Sequence, residues 1–422
     1  MTITQPGQPP RTDAPGRDVP AAAPPGASSA ADRTLPTASA SAAPAPMRAG
    51  RRDAAIDTIR GICIIMMTFS HLAEGTVAEE VSHPAPWVDG ASGFVLMSGL
   101  VLGLVQPGRI GRSGLLAAEV KLLRRAGLLY AAHVSTVLLA VLAGHFAPSV
   151  AWFPHTEDHG GTLGTIRDTL FLQINPQDID ILSLYVILLV FAMVATALLA
   201  RGLSWLVGVG SVALYIVASG QPSAFTLPIG DGELSKFNWG AWQLLFLSAL
   251  VVGWYWKRAD LRSRLTSRRA LLVAGAAWVL LTGTGVLFAR MGLIPAVQPG
   301  LHDAFYNKSD QGLARFALSW AAFITLYGSL TWVLARISPR WLAPVETIGK
   351  RSLASFIVLT VITVLVPVAA GDTGEGVLSM GIAVLSLIVM YGYVLLRYGR
   401  PGRPASAPAT SDTPATEDVA AG

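Results

Sequence analysis

A chain of 422 residues with 52% hydrophobic and only 14% charged residues is too apolar to be a water-soluble globular domain over most of its length, and reads as a polytopic membrane protein. The formal net charge of +5 comes with 31 Lys and Arg that fall mostly in short inter-helix segments, so membrane topology explains the basicity and a nucleic-acid partner does not. One cysteine, Cys63, inside an apolar run, excludes disulfides, zinc knuckles and dithiol redox chemistry and reads as a small packed hydrophobe.

Residues 1–50 are rich in Ala, Pro, Ser and Thr and contain no apolar core that a signal peptidase could follow, which predicts a disordered cytoplasmic tail. Residues 399–422 have the same character, so one membrane domain is expected over 51–398. Apolar windows of roughly 20 residues, enough to cross about 30 Å of hydrocarbon, fall at 55–75, 88–106, 124–146, 179–200, 203–220, 239–256, 270–290, 315–336, 352–370 and 377–397. The expected fold is therefore an all-α integral membrane helical bundle of about ten transmembrane helices. Arg109, Arg112, Lys121, Arg124 and Arg125, the run from Lys257 to Arg269, and Arg336 to Arg351 fall in alternate loops, while the other side carries only Arg167, Lys236, Arg290, Lys308 and Arg315. Basic residues concentrate on the cytoplasmic side, which puts both termini in the cytoplasm. The longest outward loop, about 147–178, is expected to hold an interfacial helix near 162–173. No internal repeat stands out, which weakens a repeat-built transporter fold.

The first span carries Arg60 and His71 in an otherwise apolar stretch. An Arg in hydrocarbon costs roughly 2.5–3.5 kcal/mol on insertion scales, so such groups are functional candidates. Eleven helical residues bring them to one face about 16 Å apart along the axis, and Asp57 projects from the same third of the circumference. A neutral imidazole in a partly dry pocket can take a proton from a hydroxyl while a nearby cation holds an anionic donor. A buried structural network, with Asp57 pairing Arg60, is the alternative use of the same three residues.

Further along the chain, Asp89 precedes Gly93-Phe94-Val95-Leu96-Met97-Ser98-Gly99, whose small residues serve either a site or close helix packing. Lys121, Arg124 and Arg125 at the mouth of the third span either grip phosphates or follow the topology rule. His133, in the same span, is about 180° around the helix from Arg124, so the two do not line one narrow pocket. His155 and His159 lie beside Gly160 and Gly161 without the order of a zinc motif, so no metal site is expected. Asp178 and Asp180 open the fourth span and Asn238, Trp239, Trp242 and Gln243 the sixth, where they either meet a hydroxylated substrate or serve as interfacial anchors.

These residues resemble a family. Arg51, Asp57, Arg60-Gly61 and His71, followed by Asp89 and Phe94-Val95-Leu96-Met97-Ser98-Gly99, look like the opening of the OpgC family of membrane succinyltransferases that decorate osmoregulated periplasmic glucans. Arg separated by ten residues from His is also similar to the signature of the wider membrane acyltransferase superfamily. The matches continue in order with Arg124-Arg125, Leu129-Tyr130 and His133, then Asp180-Ile181-Leu182-Ser183-Leu184-Tyr185, then Trp242-Gln243-Leu244-Leu245-Phe246. Lys308-Ser309, Leu313 and Arg315, and the run from Ile348 to Leu353, complete a resemblance over about 51–396. Three positions depart from the pattern: Ser183 stands for a proline, Leu100 for an aromatic, and Lys121 for the first arginine of a paired-arginine motif.

The resemblance implies an acyl-CoA-dependent O-acyltransferase that moves an acyl group, succinyl in the named family, to a sugar hydroxyl of an envelope glycan. His71 is then the catalytic base, with Asp57 and Arg60 beside it on the first span. Lys121, Arg124 and Arg125 contact the phosphates of acyl-CoA, which is a donor substrate and not a tightly bound cofactor. Asp89, Ser98, Asp180, Trp242 and Gln243 are the candidate acceptor contacts. The expected partners are acyl-CoA, the glycan and the bilayer of the cytoplasmic membrane, with no nucleic acid. Two rival readings remain: a multi-span transporter using Asp57, Arg60 and His71 as a proton or anion site, and a membrane scaffold whose tails recruit partners.

Overall fold

The computed structural model describes residues 53–83, 87–229, 234–291, 305–337, 340–371 and 376–399. The tails expected to be disordered lie, except for Gly399, outside the described residues. Among those residues, seven helices are long and apolar enough to cross a membrane, and two shorter apolar helices accompany them.

Helix α1 (Ala54–Leu72) begins where the Asp53 carboxylate accepts the Ala55 backbone N–H at 3.1 Å, and its apolar run ends at Ala73, whose backbone leaves helical geometry. A short helix, α2 (Val77–Ser82), follows. Helix α3 (Gly90–Phe146) is 57 residues long and contains one non-helical residue, Gly114, at φ 80° and ψ 165°. The loop expected between the second and third spans is therefore helical on both sides of one glycine. The Arg, Lys and Leu residues there are good helix formers, and Gly114 supplies the backbone conformation that lets one limb turn into the next.

Helix α4 (Thr162–Leu170) falls within the stretch, 162–173, where a helix is expected from the sequence. Helices α5 (Asp180–Ala200) and α6 (Ser204–Gly220) follow. An antiparallel hairpin of β1 (Thr226–Pro228) and β2 (Leu234–Asn238) then pairs Thr226 with Asn238 and Pro228 with Leu234 across an irregular register. The described residues are otherwise mostly helical, as expected, and this hairpin is a short addition to the all-α expectation. Thr226 and Phe237 supply β-favouring side chains, but the strands are too short to stand out between two apolar helices. The chain continues through α7 (Trp239–Tyr255), α8 (Leu261–Leu265), α9 (Arg268–Met291), α10 (Leu313–Arg336), α11 (Ala343–Lys350), α12 (Ser352–Ala370) and α13 (Val377–Tyr398).

Small residues hold the centre together. A Cβ on Gly99 or Gly103 of α3 would sit 2.2 or 2.1 Å from the Phe246 or Leu250 carbonyl oxygen of α7. In lipid the hydrophobic effect does not drive helices together, so close backbone approach of this kind supplies the van der Waals contact instead. Gln243 adds a polar clamp, accepting from the Ser211 hydroxyl at 2.7 Å and donating to the Ser211 and Gly240 carbonyls. Helix α1 is wedged against α11, where a Cβ on Gly349 would lie 1.7 Å from the Asp57 carbonyl oxygen.

The element order sends the polar helix termini to two opposite ends. At the His71 end gather the N-termini of α3, α5, α7 and α10, capped or preceded by Asp89, Ile179, Asn238 and Gly312. At the Asp53 end, Tyr327 donates to Asp53 at 2.8 Å and Arg262 approaches the same carboxylate at 4.0 Å.

Gly349→Ala is expected to lower stability by about 1–3 kcal/mol through overpacking, read as a lower Tm in detergent. Gly127→Ala, whose new Cβ meets nothing within 4 Å, is the control and is expected to be neutral or slightly stabilising. Equal Tm values for the two variants would contradict the α1–α11 wedge.

Candidate functional site

At the end of α1, His71 Nδ1 lies 2.9 Å from Asp178 Oδ1. The side chains are 19% and 25% exposed respectively, so the pair is sheltered yet reachable from outside the protein. An ionised Asp178 accepts the Nδ1–H, which fixes the tautomer and leaves Nε2 as the basic nitrogen. Burial works against the Asp178 carboxylate, but the charge and hydrogen bond of His71, with Lys236 and Lys308 nearby, keep its pKa below the ordinary carboxylate value. Asp178 has φ 70°, a left-handed conformation uncommon for a residue other than glycine. Strain of this sort, on the order of 1–3 kcal/mol, concentrates at functional sites.

The loop carrying Asp178 is fixed from both sides. Asn175 donates its backbone N–H to Ile229 and its side-chain amide to Leu172 and Pro228, tying the loop to the hairpin. Ser235 on β2 donates to Asp180 Oδ2 at 2.7 Å.

A second charged group stands beside the first. Asp89 accepts from Arg315 and lies 3.4 Å from Lys308 Nζ, while its other oxygen caps α3 by accepting the Ser92 N–H at 2.7 Å. Burial opposes the Asp89 carboxylate, yet the Arg315 and Lys308 charges and the Ser92 contacts outweigh it and hold its pKa well below the carboxylate range. Arg315 is buried, whereas the Lys308 side chain is 44% exposed. The Lys308 loop is supported by Trp242, whose indole N–H reaches the Lys308 and Ser309 carbonyl oxygens at 3.1 Å, and by the Asn238 N–H on Ser309 at 3.0 Å.

Nearer the Asp53 end, Arg60 lies 3.9 Å from Asp57 and donates to the Ser352 hydroxyl at the start of α12. Arg125 lies within electrostatic reach of both Arg60 and Arg109. Its Nε is buried without a hydrogen-bond partner among the described residues, as is the Nε2 of Gln106. Three guanidiniums repel one another, and an anion placed among them would relieve that repulsion and satisfy the unpaired donors. Between the two ends, Tyr185 donates to Ser98 at 3.2 Å, and Phe94 packs on both Tyr185 and Phe356.

The candidates from sequence thus separate. Asp57 belongs with Arg60 and stands 14 residues, about 21 Å of helix rise, from His71; Asp178 occupies the place beside the imidazole. Of the basic trio, Arg125 turns inward, while Lys121 and Arg124 are exposed. Asp180 and Asp89 sit at the His71 end. Trp242 and Gln243 are fully buried and hold the Lys308 loop and α6. His133 is fully buried, and the His159 ring meets Asp168 at 3.2 Å in the segment between α3 and α5. Sequence reasoning named Asp178 without pairing it to His71, and left Gln106 and Ser352 without a site role. Asp178 lies over 100 residues from His71 along the chain, and no signal in the sequence shows that the two meet.

The family model described as OpgC protein matches residues 52–399. No curated protein matches the chain, and no solved structure does.

Asp89→Asn leaves Arg315 buried against a neutral partner and is expected to cost on the order of 3 kcal/mol, read as a lower Tm at pH 7. Because the folded pKa is depressed, the Asp89 contribution is full above the unfolded carboxyl value of about 3.9 and is lost as pH falls below it toward the folded pKa. The variant should therefore also lose that part of the acid-side decline in Tm. An unchanged Tm and an unchanged pH profile would show that the ion pair carries no stability.

Proposed function

We propose, from the premise that the chain belongs to the OpgC family, that this membrane protein is an O-acyltransferase carrying an acyl group from acyl-CoA to a sugar hydroxyl of an envelope glycan. The family implies a transferase role and a glucan-modifying setting. The observation that supports the chemistry is the His71–Asp178 pair at 2.9 Å, an imidazole oriented by a carboxylate within a membrane helix. No observation favours the transporter reading.

In this reaction the acceptor hydroxyl gives its proton to His71 Nε2 as its oxygen attacks the thioester carbonyl. The tetrahedral intermediate expels the thiolate of CoA, and the imidazolium returns the proton to that sulfur. A sugar ester and free CoA result. Asp178 holds the tautomer and stabilises the imidazolium without taking the proton itself, as the carboxylate does in hydrolase triads.

The donor enters from the Asp53 end, which is the cytoplasmic end on the distribution of Lys and Arg. Arg60, Arg109 and Arg125, with the amide of Gln106, hold its phosphates. Arg and phosphate form strong, directional, charge-assisted pairs. The axial distance of about 16 Å from Arg60 to His71 suits an extended pantetheine arm whose thioester reaches the far end. On this reading Lys121 and Arg124 act at the membrane surface, by attraction and topology. The two limbs of α3 on either side of Gly114 and the 17-residue helices α6 and α7 all cross the membrane, giving ten spans with both termini in the cytoplasm.

The test uses purified protein, acyl-CoA and a glucan acceptor, with the ester product measured by mass. His71→Ala is expected to lower kcat by about 10²–10⁴-fold with donor binding retained. Arg125→Ala is expected to raise the donor KM by about tenfold or more with a smaller change in kcat. Succinyl-CoA and acetyl-CoA tested side by side identify the acyl group. Wild-type protein that forms no ester with any acyl-CoA, or full activity in His71→Ala, would overturn the proposal.

A further inference from the structure

The His71 end contains an aromatic pair that the acyl-transfer chemistry does not use. Trp87 and Tyr306 have ring centroids 4.9 Å apart, tilted by 52°. Tyr306 is buried and immobilised by its hydroxyl, which donates to the Leu281 carbonyl at 2.7 Å and lies 2.8 Å from the Thr284 hydroxyl. Trp87 itself is only partly buried. Space for the pair is made by Gly285: a Cβ there would fall 2.6 Å from the Trp87 ring and 2.8 Å from the Tyr306 ring. Trp87 also has φ 65°, and an aromatic residue adopts that conformation only where the surroundings impose it.

The two segments that supply these rings run on into the ion pairs at the mouth of the site. Asp89 follows Trp87 by two residues, Lys308 follows Tyr306 by two, and Asp89 and Lys308 meet at 3.4 Å. The segments therefore touch twice, ring to ring and charge to charge. Lys308 in turn lies within electrostatic reach of both His71 and Asp178.

A pyranose ring presents an apolar C–H face and a rim of hydroxyls. An indole takes the first, while a carboxylate and an ammonium take the second. We propose that Trp87 is the stacking face of a carbohydrate subsite at the His71 end, with Asp89 and Lys308 holding hydroxyls of the same sugar. This names the acceptor contacts and rests on the acyltransferase reading given above. The subsite places one sugar beside the base, and longer glycans extend past Trp87 away from it. A tryptophan serving only as an interfacial membrane anchor would contribute to stability and not to sugar binding.

Binding of a linear β-linked glucose tetrasaccharide to the full-length protein in detergent micelles, measured by calorimetry, separates these roles. Trp87→Ala is expected to weaken binding about tenfold, and Trp87→Phe, which keeps an aromatic face, to stay within about threefold of wild type. If Trp87→Ala does not fold, Trp87→Leu replaces it, since Leu keeps apolar bulk without a ring face. His71→Ala is expected to bind the tetrasaccharide as wild type does while failing to transfer. Active His71→Ala together with weakened Trp87→Ala binding would reject the assigned base and keep the subsite. Wild-type protein that does not bind the tetrasaccharide, or folded Trp87→Ala or Trp87→Leu that binds it as tightly as Trp87→Phe, would overturn the subsite.

Discussion

Hydrocarbon tolerates an ionisable side chain only where the protein supplies its partners, and α1 brings Asp57, Arg60 and His71 into the membrane domain on one short helix. The arrangement around α1 answers to that requirement. Arg60 has Asp57 and the Ser352 hydroxyl, and His71 has Asp178. Ser352, at the start of α12, and the loop that carries Asp178 must approach α1 closely. Gly349 meets α1 at one end, and Gly90 and Gly93 let α3 lie against Cys63 nearer the other. Packing by small residues and pairing of charged residues are two parts of one solution, because lipid offers neither water for the charges nor a hydrophobic force to bring the helices together.

The same constraint bears on the separation of the three arginines from the imidazole. A guanidinium next to the imidazole would compete for Asp178 and disfavour the positive charge that a general base must carry after taking a proton. Separation along one helix gives each group its own electrostatic setting: three arginines at one level, and at the other a carboxylate-oriented imidazole with Lys308 within electrostatic reach. In the proposed reaction an extended donor occupies both, with its anionic head among the arginines and its reactive carbonyl beside His71. The strained loop at Asp178 and the loop held by Trp242 then act as supports, fixing the partners of His71 from outside the membrane helices.

Much of this was legible in the sequence, for a physical reason. Spans are long apolar runs, so their positions at α5, α9, α10, α12 and α13 followed closely from composition. Arg60 and His71 stood out because membrane helices rarely carry such residues without need. The β1–β2 hairpin was too short to register between α6 and α7, and the helical limbs around Gly114 were hidden by charges that read as a loop. The pairing of His71 with Asp178 was not legible at all, since one sequence holds no record of which distant residues meet. Trp242 and Gln243 look like interfacial binding residues in a linear reading, yet their polar atoms are already engaged by Lys308, Ser309, Ser211 and Gly240. Trp87 escaped for the opposite reason: nothing in its neighbouring sequence shows that it meets a tyrosine more than 200 positions away.

The central claim is that His71 and Asp178 act as one chemical unit, and a double-mutant cycle on kcat tests it most directly. Rates of acyl transfer are compared for wild type, His71→Ala, Asp178→Asn and the double variant, each confirmed as folded by its Tm. The expected result is strong non-additivity: Asp178→Asn lowers kcat about a hundredfold or more in the wild-type background and has almost no further effect once His71 is gone. Independent effects, with the losses simply multiplying in the double variant, would mean that the two residues do not work together and would contradict the site.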